Sequence, residues 1–291
     1  MPGMAPVIQW VLDTRNLWPE ATRTAHLVDH AKRALALLPS HERDEVLRYV
    51  HVRDAKMALG SRLLKRYLIA RYAHVPWDLA SATRNAHTKP VFCAPDGSEP
   101  LAFNVSHQAG LVVLAAALQP PAGAALGVDV VCPTERRDRD HALVRAEGWP
   151  SFVDMHADVL GPPEVAALHR LPLPDLDRRM RHFYTLWCLR EAYVKMTGEA
   201  LLAPWLKSLE MRRFAPPEDA PVERTEIWFE GRRLDDVDLH LVNVLDDFII
   251  CTATHKDSQG GRLDIGDYEL LDVEEVISFG EKSRAAASDG P

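Results

Sequence analysis

Two long stretches of helical periodicity, Arg53 to Tyr72 and Asp175 to Thr197, most constrain the fold, because each lies beside short apolar runs of strand length. In the first stretch Leu59, Leu63, Tyr67 and Ala70 fall at i, i+4, i+8 and i+11, a buried stripe. In the second, Leu176, Met180, Phe183, Trp187 and Val194 repeat at helical spacing, and Gly198 stands where a C-cap belongs. Val7 to Leu12, Phe103 to Ser106, Leu111 to Leu118 and Leu126 to Val131 read as strands of the first and middle parts. Thr225 to Glu230, Leu239 to Val244 and Phe248 to Thr254 read as strands of the last. Helix and antiparallel strands thus occur in similar order in each half, which predicts an α+β fold of two lobes. The Pro/Gly-rich loop Gln119 to Gly123 is the expected boundary, giving lobes over 1–124 and 125–256 and an extension over 257–291.

Smaller features complete this reading. Ala21 to Leu38 has helical spacing, and Ser40 is expected to cap the short helix after it. Cys132 to Pro150 is charged and turn-rich, an expected surface excursion. Pro162 and Pro163 open a short helix with Glu164 in its first turn, a position favoured by the helix dipole. The closing EKSRAAASDGP reads as a mobile tail.

Composition excludes several classes. Lysine plus arginine total 34 against 42 aspartate plus glutamate, a net charge of −8, which argues against a dedicated nucleic-acid binder. No apolar run reaches the roughly 18 residues of a membrane span, and the start MPGMAPVIQW lacks the pattern of a secretion signal. Cys93, Cys132, Cys188 and Cys251 are scattered with no CxxC, which argues against a zinc site or disulfide framework and for a reducing, cytoplasmic setting.

Three segments carry polar residues where a bland core would not need them. Phe103-Asn104-Val105-Ser106-His107-Gln108 ends a strand with a hydroxyl, an imidazole and an amide, groups able to hold phosphate or sugar; taken alone, a strand end facing water is the simpler reading. In Gly127-Val128-Asp129-Val130-Val131, alternation sets Asp129 and Val131 on one face. A carboxylate in a Val-rich strand needs a cation, either a metal such as magnesium or an arginine. In Trp187-Cys188-Leu189-Arg190-Glu191-Ala192-Tyr193-Val194-Lys195, residues Trp187, Glu191 and Lys195 share one helix face. Glu191 and Lys195 could be an ordinary surface pair, but the aromatic stripe beside them argues against full solvation.

In this order, FNVSHQ, GVDVV and WCLREAYVK resemble the 4′-phosphopantetheinyl transferases, specifically the long, two-lobed, broad-specificity Sfp-like kind rather than the short trimeric carrier-protein synthase. Arg53-Asp54-Ala55-Lys56 and Lys89-Pro90 add to the resemblance, which runs from about Leu37 to Thr254. It implies two similar lobes related by a pseudo-twofold, with coenzyme A in the cleft between them. It also implies transfer of the phosphopantetheine arm to a serine of an acyl or peptidyl carrier domain, releasing adenosine 3′,5′-bisphosphate. By the same resemblance Asp129 and Glu191 are the magnesium ligands and Lys195 faces the pyrophosphate; with water expected in the shell beside Val131, manganese should be tolerated about as well. Arg53, Lys89, Ser106 and His107 look like contacts to the 3′-phosphate and nucleotide end, and Arg84 to Lys89 like the loop beside the adenine. Asn104, Gln108 and Pro90 belong to the same matched motifs. Glu191, directly or through water, is the expected base.

Two positions depart from the bacterial pattern. GxDxE reads GVDVV, so Val131 replaces a second acid, and Gln108 or water is expected to fill the metal shell there. The bacterial GKP reads Thr88-Lys89-Pro90. Carriers of fatty-acid, polyketide, peptide-synthetase or aminoadipate-reductase type are all compatible, with a monomer as the expected state. Arg136, Arg137, Arg139 and Arg145 offer a basic patch for an acidic carrier, or a solvated loop balanced by Glu135, Asp138 and Asp140. Two other readings remain at this stage: a different magnesium-dependent transferase acting on a nucleotide pyrophosphate, and a non-catalytic module that grips carrier domains.

Overall fold

The computed structural model describes residues 4–85, 89–172, 174–199, 203–256 and 261–288. Its strands are β1 (Pro6–Asp13), β2 (Thr83–Arg84), β3 (Pro90–Val91), β4 (Leu101–Gln108), β5 (Leu111–Leu118), β6 (Ala125–Val131), β7 (Leu209–Arg212), β8 (Glu226–Phe229), β9 (Arg232–Leu234), β10 (Val237–Val244), β11 (Phe248–His255) and β12 (Asp264–Leu270). The helices are α1 (Leu27–His30), α2 (Lys32–Ala36), α3 (Ser40–Leu47), α4 (Val52–Tyr72), α5 (Arg137–Glu147), α6 (Trp149–Asp154), α7 (Pro162–His169), α8 (Leu176–Thr197) and α9 (Val273–Ser288). The chain divides into two compact units: one runs to Ala122 and resumes at Leu263, the other is Gly123–Arg262. Each is a mixed α+β body with its own apolar core.

The first unit is built on one sheet in the order β12-β1-β5-β4-β3-β2. β4 and β5 form a hairpin in which Gln108 pairs with Leu111. The two-residue turn needs positive φ at both positions, met by Ala109 (50°) and Gly110 (93°). Helix α4 lays Leu59, Leu63 and Tyr67, each no more than 1% exposed, into the core under this sheet. Gly60 lets it approach closely, since a Cβ there would stand 2.9 Å from Leu12 Cδ2.

The sequence reading needs three corrections in this unit. Ala21 to Leu38 is not one helix but a 3-10 turn followed by α1 and α2, broken at Ala31 (φ −109°, ψ 25°). Leu27, Ala31, Ala34, Leu35 and Leu38 are still buried, so packing keeps the apolar face while the backbone bends. Ser40 is the first helical residue of α3, and Pro39 holds the N-cap position without a side-chain hydrogen bond.

The expected extension is part of the first unit. β12 pairs in parallel with β1, and α9 packs on α4. Val276 and Ile277 are buried, Phe279 meets the Tyr67 ring at 5.1 Å, and Tyr67 Oη donates to Glu275 at 2.5 Å. Arg33 joins Glu274 at 2.7 Å and Glu281 at 2.9 Å. The stretch from Glu281 that reads as a tail therefore continues a docked helix to Ser288; its last residues, 289–291, lie outside the described residues.

The second unit holds two antiparallel sheets, β10-β11-β6 and β7-β8-β9, with α8 packed on the first. Asp175 caps α8 by accepting from Asp177 N, and Gly198 closes it at φ 83°. The expected surface excursion is instead two helices, α5 and α6, separated by Gly148 at φ 88°. Most of its charges, Arg136, Asp138, Arg139, Arg145 and Glu147 among them, are exposed, but three of its residues tie it to α8. Arg137 pairs with Asp177 at 2.6 Å, buried His141 lies 2.8 Å from the same carboxylate, and Tyr184 Oη donates to buried Asp140. Trp149, also buried, donates to Leu168 O at 2.8 Å.

Candidate active site

In the second unit one glycine sets the geometry. A Cβ on Gly127 would stand 2.2 Å from Met196 N and 2.3 Å from Ala192 O, both backbone atoms of α8. Only glycine permits that approach. It seats the last turns of α8 flush on β6, on the strand face that carries Asp129 two residues on. Lys195 Nζ donates to Asp129 Oδ1 at 2.6 Å, and the Asp129 side chain is 8% exposed. The valine-rich strand tolerates this acid because an ammonium meets it. Cys188 anchors the same crossing, its thiol contacting Asp129 O at 3.5 Å.

Glu191 lies one turn before Lys195 and is half-buried. Burial, and then the negative charge of Asp129, push its carboxyl up to about 7, while Lys195 pulls the other way. Asp129 and Glu191 are thus electrostatic neighbours. Among the described residues no group of three or more His, Cys, Asp and Glu side chains forms a metal cage. Two carboxylates are a donor set that could hold a hard dication which keeps water and substrate oxygens as its remaining ligands. Val131 shares the strand face of Asp129 but is 3% exposed within the second core, beside Trp149 and Phe152. The position of the missing acid is thus packed into the core of the second unit.

In the first unit the candidate residues separate. His107 and Arg84 line a pocket of about 340 Å³ together with His41, Glu42, Ser61, Arg62, Lys65 and Arg66. Burial, reinforced by the nearby Arg62 charge, draws the Lys65 ammonium down. Arg62 is paired with Glu45 at 2.6 Å and Arg66 with Glu42 at 2.8 Å. Arg84 pairs with Pro90 across the β2–β3 hairpin, and Asn85 Oδ1 accepts from Lys89 N at 3.0 Å. Burial lowers the Lys89 ammonium to about 8. Residues 86–88, including Thr88, lie outside the described residues.

Arg53 and Ser106 take other positions in this unit than His107. Arg53 lines a different hollow of about 380 Å³ with Arg23, Val50 and His51. Asn104 and Ser106 are buried on β4, where alternation turns them away from the face bearing His107, and Gln108 shares their side. Ser61, Arg62 and Lys65 went unassigned in the sequence although the signal was there. They recur at helical spacing on the side of α4 away from Leu59 and Leu63.

Known proteins supply the identity. Residues 27–119 match the family model described as 4′-phosphopantetheinyl transferase, N-terminal, and residues 125–253 that of the 4′-phosphopantetheinyl transferase superfamily. The chain belongs to the 4′-phosphopantetheinyl transferase superfamily. It is 56% identical to 4′-phosphopantetheinyl transferase 1 of Fusarium mangiferae, covering 95% of this chain and 96% of the relative. A 4′-phosphopantetheinyl transferase of Aureobasidium melanogenum is 33% identical, with 93% and 96% covered. The human L-aminoadipate-semialdehyde dehydrogenase-phosphopantetheinyl transferase is 27% identical over 66% of this chain and 52% of its own. The protein is accordingly a transferase that moves phosphopantetheine from coenzyme A to carrier proteins, and neither alternative reading is favoured. No helix among the described residues is long and apolar enough to cross a membrane.

Proposed function

We propose that the transferase works with Mg²⁺ held by Asp129 and Glu191, and that the acceptor is a serine hydroxyl of an acyl or peptidyl carrier domain. The observation that carries this is the Gly127 contact, which seats α8 on β6 and sets Glu191 and Lys195 beside Asp129. When bound, the cation draws charge from the phosphate oxygens. The Lys195 ammonium, 28% exposed at its side chain, turns from Asp129 toward the phosphate that leaves. Glu191, half-buried beside Asp129, is the group we assign to take the serine proton, directly or through a water. The serine Oγ forms a bond to phosphorus, the bond to the adenosine 3′,5′-bisphosphate oxygen breaks, and the serine proton passes to Glu191 or to a water it holds.

Of the first unit's candidates, Arg84 and His107 have the best support as contacts to the 3′-phosphate, because they share one basic pocket with Lys65. Lys89 and Pro90 lie opposite Arg84 in the same hairpin, and Arg53, Asn104, Ser106 and Gln108 stay candidates through the matched motifs. Carriers of the fatty-acid, polyketide, peptide-synthetase and aminoadipate-reductase types all fit this chemistry; the mammalian relatives, by name, serve the last. A cytoplasmic monomer is the setting we assign, in keeping with four free cysteines. Stripping divalent cations with a chelator should stop transfer to an apo carrier, and Mg²⁺ or Mn²⁺ should restore it. Full transfer in the stripped protein would refute the metal assignment.

A further inference from the structure

Arg190 stands immediately before Glu191 in α8, yet it belongs to a different environment. It is 2% exposed and buried against α7 and the chain leading into β7. Its Nη1 donates to Glu164 Oε2 at 2.7 Å, Glu164 Oε1 at 2.9 Å and Leu209 O at 2.9 Å, and its Nη2 donates to Leu206 O at 2.6 Å. Glu164, 1% exposed, also accepts from Gly161 N at 2.6 Å and Met211 N at 2.7 Å. Gly161 is required for this packing, because a Cβ there would lie 2.7 Å from Leu209 O. One charged knot therefore joins the first turn of α7, the Leu206 turn, β7 and α8.

Stability is a poor reason to keep such a knot. Two fully buried charges lose their hydration, and an apolar pair of similar volume commonly serves the fold as well. Geometry is a better reason. Successive helical residues are about 100° apart, so the direction in which Arg190 is clamped fixes the direction in which Glu191 points. On the strand side, Gly127 holds the backbone of Ala192 and Met196 against β6. The two anchors grip α8 on either side of Glu191 and leave it one rotational setting.

We propose that the Glu164–Arg190 pair is a positioning device for the reaction, fixing the rotation of α8 so that the Glu191 carboxylate is presented with that of Asp129. This rests on the assignment of Glu191 as a metal-binding residue. Residues that orient metal-binding groups typically contribute 10- to 100-fold to affinity or activity, roughly the effect expected here.

The test uses the full-length transferase and the paired replacement Glu164→Met with Arg190→Met, which removes the knot without stranding a buried charge. Melting temperature, KM for coenzyme A, kcat on an apo carrier domain and Mn²⁺ affinity by electron paramagnetic resonance are measured. The paired variant should stay folded, hold its coenzyme A KM within about twofold, and lose about tenfold or more in kcat and Mn²⁺ affinity. A folded paired variant with unchanged kcat and Mn²⁺ affinity would show a purely structural pair and overturn the proposal. Should the paired variant not fold, Arg190→Lys decides in the same way: it keeps the charge and loses the planar, multi-donor contact. Lowered kcat and Mn²⁺ affinity in its folded fraction support the proposal, and parental values overturn it. Glu191→Gln separates the two layers. If it leaves Mn²⁺ binding intact, the metal assignment fails and takes the positioning role with it. If it abolishes Mn²⁺ binding while the Glu164 and Arg190 variants behave as the parent, the positioning role alone is lost.

Discussion

Lys195 Nζ lies 2.6 Å from Asp129 Oδ1, so the lysine expected to face the leaving phosphate is docked on a carboxylate expected to hold the metal. If Asp129 holds the metal as proposed, Lys195 would compete with the cation in the absence of coenzyme A and swing away when phosphate arrives. Lys195→Met should bind Mn²⁺ several-fold more tightly than the parent without coenzyme A, while its kcat falls by about 100-fold for want of the charge on the leaving phosphate. Isothermal titration checks the first effect; weaker Mn²⁺ binding in the variant would mean that the lysine supports the site instead of occupying it.

Gly127→Ala should be far more damaging than its single methyl suggests. The atoms it would strike, Met196 N and Ala192 O, are backbone and cannot rotate aside. Overpacking of this kind costs about 1–3 kcal/mol or more, and relief comes only by prying α8 from β6. Gly97, at φ 82° with nothing near its would-be Cβ, is the control: its alanine variant carries only the left-handed strain of about 1–2 kcal/mol. Thermal melts and turnover on the pair separate the effects. Both variants should melt lower, but only Gly127→Ala should lose activity per folded molecule.

These contacts also show what the sequence could and could not disclose. The strand β6 and the helix α8 were each legible because a 2-residue and a 3.6-residue period are local signals, but that Asp129 and Glu191 belong together was implied only by the family resemblance. The role of Gly127 as a contact surface was not legible, since it depends on α8 more than sixty residues away. Glu164 read as a favourable first-turn acid, yet its partner is Arg190, a pairing no local pattern reports. The same reason made the end of α9, from Glu281, look like a tail: Ala and Ser predominate there, and the anchors of the helix, Tyr67 and Arg33, lie far off in the first unit's helices. Charge density in Cys132 to Pro150 suggested solvent, whereas Asp140 and His141 are spent on α8.

A pH dependence follows from Glu191. Its carboxyl is raised from 4.5 to about 7 in the folded, metal-free protein. Below the ordinary carboxylate range it is protonated in both folded and unfolded chains, and its contribution is fully present. As pH rises toward 7 the unfolded chain releases the proton while the folded one holds it, so stability from this residue is lost across that window. Glu191→Gln should remove this loss, making the metal-free variant gain melting temperature relative to the parent between pH 5 and pH 7.5, roughly the interval the shift spans. A parallel pair of melting curves would contradict it.

Val131→Glu tests the packing of the same strand face. With Val131 in the core, the new carboxylate would be buried without a partner at a cost of several kcal/mol. Magnesium should not rescue the melt. Recovery of stability on adding the metal would mean that the position opens onto the metal site after all.

Asp129 and Glu191 are proposed to act together on one metal. The direct measurement is the intact mass of an apo carrier domain after incubation with coenzyme A, saturating Mg²⁺ and either the parent, Asp129→Ala or Glu191→Ala, each checked as folded by its melt. The parent should add one phosphopantetheine arm to the carrier, and both variants should leave its mass unchanged over the same interval. Near-normal conversion by either variant would contradict the two-carboxylate centre.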